Sequence, residues 1–273
     1  MTVHSVELEF NFTREQNTAV IETIAELSEN AYYQGGRVAG LFADEMRVPD
    51  VYRYDLRYIA NTESWEAVRL PQDASPAGGM GEDTRPTLLV LMESPHNDEY
   101  LYLDENGDPV KIPVVRDRAD AVRRIARVEP VRPANGKTGE HMDRFLAAVA
   151  EGLAPSGRDV MYRVIVANPV QYQTSLHAVH GGTLSKPLYG ALRDNVWKAL
   201  WTQEAVRSDF AARLAAYKPA VIFNGCTRVV KPLVEEAIRE VLRGQAVECY
   251  RVAHPFAWFS AANRKLTRVE LEE

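Results

Sequence analysis

The chain has 273 residues, of which 46% are hydrophobic and 26% charged, a composition typical of a globular protein with a sizeable core. Its formal net charge of -6 disfavours a protein whose whole surface binds nucleic acid. Two cysteines are too few for a disulfide framework or a four-cysteine cluster, and no stretch approaches the roughly 18 apolar residues of a membrane helix, so we expect a cytoplasmic protein without a metal cluster.

The first 80 residues differ in pattern from the rest of the chain. Val6–Phe12 alternates apolar and polar side chains, which is typical of a half-buried strand. Thr13-Arg-Glu-Gln16 fits the capping box of a following helix. Val51–Ala60 and Trp65–Leu70 are predicted strands, and the glycine-rich residues 73–83 predict a flexible connection. Residues 1–80 are therefore predicted to form an N-terminal α+β extension.

From residue 86 onward, short apolar runs alternate with helical periodicity. The apolar runs are Leu88–Met92, Val160–Ala167, Ala220–Phe223 and Ala246–Val252. Between them, Met142–Val149 and Val230–Val241 repeat apolar residues at the spacing of one helix face. Continuous apolar strands separated by helices are typical of a parallel sheet covered on both faces. The sequence therefore predicts an α/β fold over residues 86–273, a three-layer α/β/α sandwich with a mainly parallel four-stranded central sheet.

Polar residues follow each of the four predicted strands. In chain order they are Glu93-Ser-Pro-His-Asn-Asp-Glu99, Asn168-Pro-Val-Gln171, Asn224-Gly-Cys-Thr227 and His254-Pro-Phe-Ala-Trp-Phe259. A single carboxylate, amide or imidazole at a strand end often has a structural role, such as capping or core packing. Because the carboxyl ends of parallel strands meet at one edge of the sheet, four such ends together favour a functional site.

Five segments resemble, in order, motifs of the uracil-DNA glycosylase superfamily, with a layout most similar to its iron–sulfur branch. They are Glu93-Ser-Pro95, Pro133-Ala-Asn-Gly-Lys-Thr-Gly139 with Met142-Asp-Arg-Phe-Leu146, Arg158-Asp-Val160, Ala220-Val-Ile-Phe-Asn-Gly225 and His254-Pro255. The resemblance covers about residues 86–265.

This resemblance implies a DNA glycosylase, which flips the target nucleotide out of the duplex and excises its base without a cofactor, leaving an abasic site. His254 matches the family histidine that stabilises negative charge on the leaving base. Glu93 matches the motif glutamate, which orients water or stabilises the sugar cation, and Asp98 is the alternative acid. The residues expected to line the substrate pocket beside them are Ser94, Pro95, His96 and Asn97.

The sequence departs from the family at the positions that recognise uracil. Ala134 stands where the family has a phenylalanine that stacks on the base. The asparagine that reads the uracil edge falls near Val164, with Asn168 close by as a substitute. Asn168 also falls near the position of a cluster-ligating cysteine, so no cluster is expected. The best-known branch has an aspartate where this chain has Ser94.

These departures predict weak uracil binding and room for a bulkier base. We hypothesise that the base is a modified pyrimidine, such as the glucosylated hydroxymethylcytosine of some phage DNA. Such a substrate would make the protein an antiviral defence enzyme.

A basic stretch and an aromatic stretch are candidate contacts with DNA. Lys111 to Lys137 contains eight basic and three acidic residues, and it lies largely in an insertion between two family motifs. We expect phosphate contacts from Arg123, Arg124, Arg127 and Lys137, a solvated helix face being the alternative. In the aromatic stretch after the His-Pro motif, Phe256 and Trp258 are candidates for a wedge into the duplex, with Arg264 on a phosphate. Core packing is the alternative for these two aromatic residues.

Two other functions stay open at this point. A catalytically inactive DNA-binding module with the same fold is motivated by Ser94 and by the missing uracil contacts. A nucleoside hydrolase would need neither the basic stretch nor the wedge. A phosphate-binding loop at Asn135–Thr138 is rejected because Val131 replaces the required glycine and no apolar strand precedes it. His177 and His180 lack further ligands at suitable spacing, so no metal site is expected.

Overall fold

The computed structural model describes residues 44–76, 83–111, 124–153, 157–175 and 186–271. The predicted strand and helix before residue 32, the candidate Arg123 and the pair His177 and His180 lie outside these residues. Within the described part of the chain, no helix combines the length and the apolar character needed to cross a membrane.

The described residues form nine strands and four α-helices. The strands are β1 (Val51–Ile59), β2 (Ser64–Ala74), β3 (Thr87–Leu91), β4 (Tyr100–Leu103), β5 (Arg127–Pro130), β6 (Val160–Ala167), β7 (Pro219–Asn224), β8 (Glu248–Arg251) and β9 (Thr267–Val269). The helices are α1 (Lys137–Ala150), α2 (Lys186–Trp201), α3 (Glu204–Tyr217) and α4 (Lys231–Val241).

Seven of the strands form one mixed sheet in the order β2-β1-β6-β3-β7-β8-β9. Its centre consists of β6, β3, β7 and β8, which pair in parallel and correspond to the four strands predicted from apolar runs. The α/β class is therefore confirmed. The sheet is wider than the four strands expected, because β1 and β2 add antiparallel beyond β6 and β9 adds antiparallel beyond β8. The division of the chain into domains 1–80 and 86–273 stays a prediction.

Both faces of β3 are buried, as its apolar sequence requires. In β3, Leu88 and Val90 pack in one core with Met142, Leu146 and Val149 of α1. Helix α4 lies on the opposite face of the sheet. Its Glu235 side chain accepts hydrogen bonds from Asn224 of β7 and Arg251 of β8. In these two strands, Asn224 and Arg251 alternate with the residues that face the core, so they point to the other face.

A close approach of two segments shapes the start of α1. A Cβ atom on Gly139 would lie 2.0 Å from the carbonyl oxygen of Ala134, so only glycine fits there. Ala134 itself is fully buried, adopts a φ of 53°, and accepts a hydrogen bond from the Arg53 guanidinium through its carbonyl at 2.8 Å. The residue expected to face the substrate base is therefore a backbone anchor in this fold.

The described residues divide into two compact units. One unit includes residues 44–48, 94–111, 124–132, 170–175 and 186–206, and it contains the antiparallel pair β4 and β5. Within it, Arg47 donates two hydrogen bonds to the Gln171 side chain, at 3.1 and 2.6 Å. The other unit includes residues 49–76, 83–93, 133–153, 157–169 and 207–271, and it contains the seven-stranded sheet with α1 and α4.

Candidate functional site

The two central strands β3 and β7 lead into connections on opposite faces of the sheet. After β3 the chain passes through α1 to reach β6 on one side, and after β7 it passes through α4 to reach β8 on the other side. The carboxyl ends of β3 and β7 therefore form a topological switch point, the place where open α/β sheets bind ligands. Glu93 follows β3 at this point, and Gly225-Cys-Thr227 follows β7.

Glu93 is a buried carboxylate held by the neighbouring strand end. Its side chain is 4% exposed, and its Oε2 atom accepts the backbone N–H of Thr227 at 3.2 Å. The adjacent Cys226 thiol donates to the carbonyl of Met92, which ties the two loops together. Burial, reinforced by the charge of Glu93, raises the pKa of the Cys226 thiol well above its ordinary value. Cys226 is therefore a neutral packing residue, because only a thiolate is a good nucleophile.

His254 follows β8, and the backbone that comes after it determines which imidazole nitrogen can donate. Its Nδ1 atom accepts the backbone N–H of Phe256 at 3.2 Å, where the chain turns through the 3₁₀ segment Pro255–Ala257. In a neutral imidazole one nitrogen accepts and the other carries the proton. The Nε2 atom of His254 is therefore the donor. The Trp258 indole donates to the carbonyl of Ala253 at 2.8 Å and braces the same turn.

His254 lines a cleft of about 480 Å³, and Glu93 is hydrogen-bonded to a neighbouring residue of its lining. Thr227, whose backbone binds Glu93, lines this cleft together with His254. The full lining consists of Cys226, Thr227, Arg228, Lys231, Pro232, Arg251, Ala253 and His254. The sequence-predicted acid and imidazole thus belong to the same rim of the sheet.

Asn168, at the carboxyl end of β6, is a fully buried amide that lacks hydrogen bonds. Neither its Nδ2 nor its Oδ1 atom has a partner among the described residues. The backbone N–H of Met92 donates to Ala167 at 2.9 Å, so Asn168 follows directly on the strand end that borders β3. Because an unsatisfied buried polar group costs about 1–3 kcal/mol, this amide is a candidate ligand-binding group.

A buried ionic network holds the backbone around Asn168. Arg213 of α3 pairs with Asp50 at 2.5 Å and donates to the carbonyls of Asn168 and Pro169 at 3.3 and 3.2 Å. Tyr217 also donates to Asp50, at 2.8 Å, and burial together with the Asp50 charge raises its pKa well above the ordinary value. Sequence reasoning missed this network, since Asp50 and Arg213 are 163 positions apart and neither stands in a motif.

The other predicted pocket residues belong to the unit that contains β4 and β5. Ser94 shares a 2.6 Å hydrogen bond with Thr174, and Pro95 is buried. Asn97 and Asp98 lie in the 3₁₀ turn Asn97–Glu99, in which Asp98 is exposed, and His96, just before the turn, is exposed as well. The two candidate acids thus have different surroundings, since Glu93 is buried and Asp98 is exposed.

The three described candidates of the basic stretch are exposed, and each lies near a carboxylate. Arg124 is 3.9 Å from Asp104, Arg127 is 2.9 Å from Glu129, and Lys137 is 3.3 Å from Glu140. Exposed ion pairs of this kind contribute only about 0–1 kcal/mol, so these cations can exchange their partners for other anions.

The aromatic residues after His254 separate into core and surface. Trp258 is fully buried, so its side chain packs in the core, whereas Phe256 and Phe259 are 52% and 59% exposed. The His141 ring lies 5.8 Å from Phe256 and 5.7 Å from Phe259, and its Nδ1 atom is 2.6 Å from the Phe256 carbonyl. Sequence reasoning missed His141, which only the fold brings to this loop.

Arg264 completes this surface cluster. Its guanidinium lies 4.3 Å from the centre of the Phe145 ring on α1 and donates to the carbonyl of Trp258 at 2.7 Å. The cluster defined by His141, Phe145, Phe256, Phe259 and Arg264 is called the aromatic cluster below. It combines exposed rings with a cation, as surfaces that bind nucleic acid do.

Comparison with family models, with curated proteins and with solved structures finds no match for this chain. Among the described residues, no group of three or more His, Cys, Asp or Glu side chains is arranged to hold a metal ion.

Proposed function

We propose that the protein is a DNA glycosylase with a uracil-DNA-glycosylase-like fold, a three-layer α/β/α sandwich around the four parallel strands. One observation carries the proposal: the imidazole after β8 lines a cleft, and the buried carboxylate after β3 is hydrogen-bonded to Thr227, a residue of the same lining. In this reading, the cleft receives a nucleotide flipped out of the duplex, and water replaces the base at C1′ of the sugar.

His254 stabilises the departing base. As the glycosidic bond breaks, negative charge develops on the base, and the Nε2–H group donates to it. The hydrogen bond from Phe256 to Nδ1 supports this role, because it orients the ring and leaves Nε2 as the donor before the reaction begins. A preorganised donor of this type contributes about 10²–10³ in rate.

Glu93 acts on the sugar side of the bond. Its carboxylate orients the attacking water and stabilises the positive charge that develops at C1′. Burial of the side chain supports this role, since electrostatic interactions are stronger where water is excluded. The hydrogen bond from the backbone of Thr227 fixes the position of one carboxylate oxygen.

Asn168 is the proposed reader of the base edge. A side-chain amide offers both donors and an acceptor, which suits hydrogen bonding to a pyrimidine edge. Its lack of hydrogen-bond partners among the described residues supports this assignment.

The aromatic cluster is the proposed contact with the duplex. Phe256 and Phe259 act as the wedge, and Arg264 contacts a phosphate. The exposure of both rings supports the assignment. Arg124, Arg127 and Lys137 add phosphate contacts, so binding weakens with salt.

The proposed substrate is a bulky modified pyrimidine, such as glucosylated hydroxymethylcytosine of phage DNA, and the proposed role is antiviral defence. The support comes from the sequence, in which the small residue Ala134 stands where the family has a stacking ring. A family pocket without that ring has room for a larger base, whereas the Ala134 side chain itself packs in the core.

The test is incubation of the purified protein with uracil-containing, ordinary and glucosylated phage DNA, followed by detection of abasic sites. We expect abasic sites only in the glucosylated DNA, and their loss in Glu93→Gln and His254→Ala. Asp98→Asn is the matched control, because Asp98 is the exposed alternative acid.

Three results would overturn parts of this proposal. Abasic sites in none of the DNAs, together with DNA binding that His254→Ala leaves unchanged, would indicate the inactive DNA-binding module. Release of bases from free nucleosides but not from DNA would indicate a nucleoside hydrolase. Full activity of Glu93→Gln with loss in Asp98→Asn would assign the acid to Asp98.

A further inference from the structure

The polar side chains that line the cleft of His254 are hydrogen-bond donors. Besides the imidazole, they are the hydroxyl of Thr227 and the cationic groups of Arg228, Lys231 and Arg251. Among the described residues, no carboxylate lines this cleft. Such a lining favours an anionic ligand that has several acceptor oxygens.

Arg228 is the cation available to a ligand. Lys231 donates to the carbonyl of Val252 at 2.6 Å, and burial lowers its pKa. Arg251 makes two hydrogen bonds to Glu235, at 2.8 and 2.6 Å. The exposed Arg228 side chain has no hydrogen bond or ion pair with any residue in the described part of the chain. No described residue therefore neutralises its charge.

Thr227 provides a second, independent indication of a ligand. Its hydroxyl oxygen is buried and has no hydrogen-bond partner among the described residues. The hydrogen bond to Glu93 uses the backbone N–H group of Thr227 and leaves the hydroxyl unsatisfied. A ligand oxygen in the cleft would satisfy it.

We infer that this cleft binds the phosphate group of a nucleotide, with Arg228 as the main cation and the Thr227 hydroxyl as a neutral donor. A phosphate fits better than a carboxylate, because its tetrahedral oxygens can accept hydrogen bonds from the Arg228 guanidinium and from the Thr227 hydroxyl at the same time. The volume of about 480 Å³ exceeds that of a phosphate alone and leaves room for the attached sugar. The identification of the ligand as a phosphorylated nucleotide, and not a free nucleoside, rests on the proposed function.

Calorimetric titration of the full chain tests this inference, with inorganic phosphate, thymidine 5′-monophosphate, a short oligonucleotide, thymidine and acetate as probes. Arg228→Gln removes the free cation. Arg243→Gln is the matched control, since Arg243 is exposed just beyond the end of α4 and does not line the cleft. Both variants change the net charge equally, and an unchanged Tm shows that both fold.

We expect phosphate, the monophosphate and the oligonucleotide to bind the wild type and Arg243→Gln equally. Arg228→Gln should bind all three about tenfold more weakly or worse, since a charge-assisted hydrogen bond contributes about 1.5–3 kcal/mol, and 1.4 kcal/mol is tenfold. Thymidine and acetate should not distinguish the variants. Thr227→Val, which is nearly isosteric, should weaken phosphate binding by a smaller factor.

Equal phosphate binding by the wild type and Arg228→Gln would overturn the inference, as would an equal loss in Arg243→Gln. Oligonucleotide binding that depends on Arg228, without phosphate or monophosphate binding, would assign the site to a polymer backbone and overturn the nucleotide site. If no DNA yields abasic sites while phosphate and monophosphate binding still depends on Arg228, the phosphate site stands and the glycosylase proposal fails.

Discussion

Two imidazoles contact the backbone of Phe256, one as a hydrogen-bond acceptor and the other as a donor. The Nδ1 atom of His254 accepts its N–H group, and the Nδ1 atom of His141 lies 2.6 Å from its carbonyl, which can only accept. His141 must therefore carry its proton on Nδ1 and His254 on Nε2. One histidine lines the cleft, and the other connects the aromatic cluster to α1. The two histidines differ because His254 contacts the backbone N–H group of Phe256 and His141 contacts its carbonyl. We expect a chemical role for His254 and a positioning role for His141.

Substitutions in the cleft and substitutions in the aromatic cluster should have different effects. Cleft residues should affect the chemical step on single-stranded and double-stranded substrates alike. Residues of the aromatic cluster should affect duplex substrates alone, because single strands need no wedge to expose the base.

The largest effect is expected for Glu93→Gln, next to the cleft residue Thr227. The amide keeps the shape and the hydrogen bond from Thr227 but loses the charge, so kcat should fall about 10²–10⁴-fold, as for removal of a catalytic acid or base. Single-turnover assays on both kinds of substrate should give the same loss. A loss confined to duplex DNA would place Glu93 in binding instead of chemistry.

A large effect on stability is expected for the network behind Asn168. Arg213→Met leaves Asp50, which is 4% exposed, without its ion partner, and breaking a buried pair costs about 3–5 kcal/mol. Urea unfolding measures this loss. Arg207→Met, an exposed position on the same helix, should leave the free energy of unfolding within about 0.5 kcal/mol of wild type. Equal effects of the two substitutions would show that the Asp50–Arg213 ion pair does not contribute specifically to stability.

An intermediate effect is expected for the wedge. The double substitution Phe256→Ala and Phe259→Ala removes two exposed rings, and stacking contributes about 1–3 kcal/mol per base. Binding of duplex DNA should therefore weaken at least about tenfold in fluorescence anisotropy, while base release from single strands stays unchanged. Val229→Ala, which also removes an exposed apolar side chain, is the control. An unchanged affinity for duplex DNA would assign these rings to another contact.

The smallest effect is expected for His141→Ala. The substitution releases the Phe256 carbonyl but leaves both phenylalanines in place, so duplex binding should weaken by less than about tenfold, the equivalent of one hydrogen bond. His141→Asn, whose amide can still donate, should restore part of the affinity. A lower rate on single-stranded substrate would contradict the separation between the two histidines.

The central strands could be predicted from the sequence because they are buried on both faces. Val160–Ala167 is predicted and observed with the same bounds, and Arg163 is the one charged residue in this otherwise apolar run. The polar residues at the strand ends, Glu93 and His254, follow from the same reasoning, since parallel strands bring these ends to one edge.

Other features could not be predicted because they depend on contacts between distant segments. The alternating strand β1 looks like part of a separate extension until it is seen to pair with β6. Helix α3 buries Val206, Phe210, Leu214 and Tyr217 on one face, but alanines on its other faces weaken the apolar periodicity of its sequence. Asp50 and Arg213, or His141 and Phe256, form pairs only after the sheet has assembled.

The most direct test of the account is the rate of base release by His254→Ala on glucosylated DNA, measured in single turnover by mass spectrometry at equal DNA occupancy. The account predicts a free modified base from the wild type and a rate about 10²–10³-fold lower in the variant. Equal rates for the two proteins, or no free base from the wild type, would contradict it.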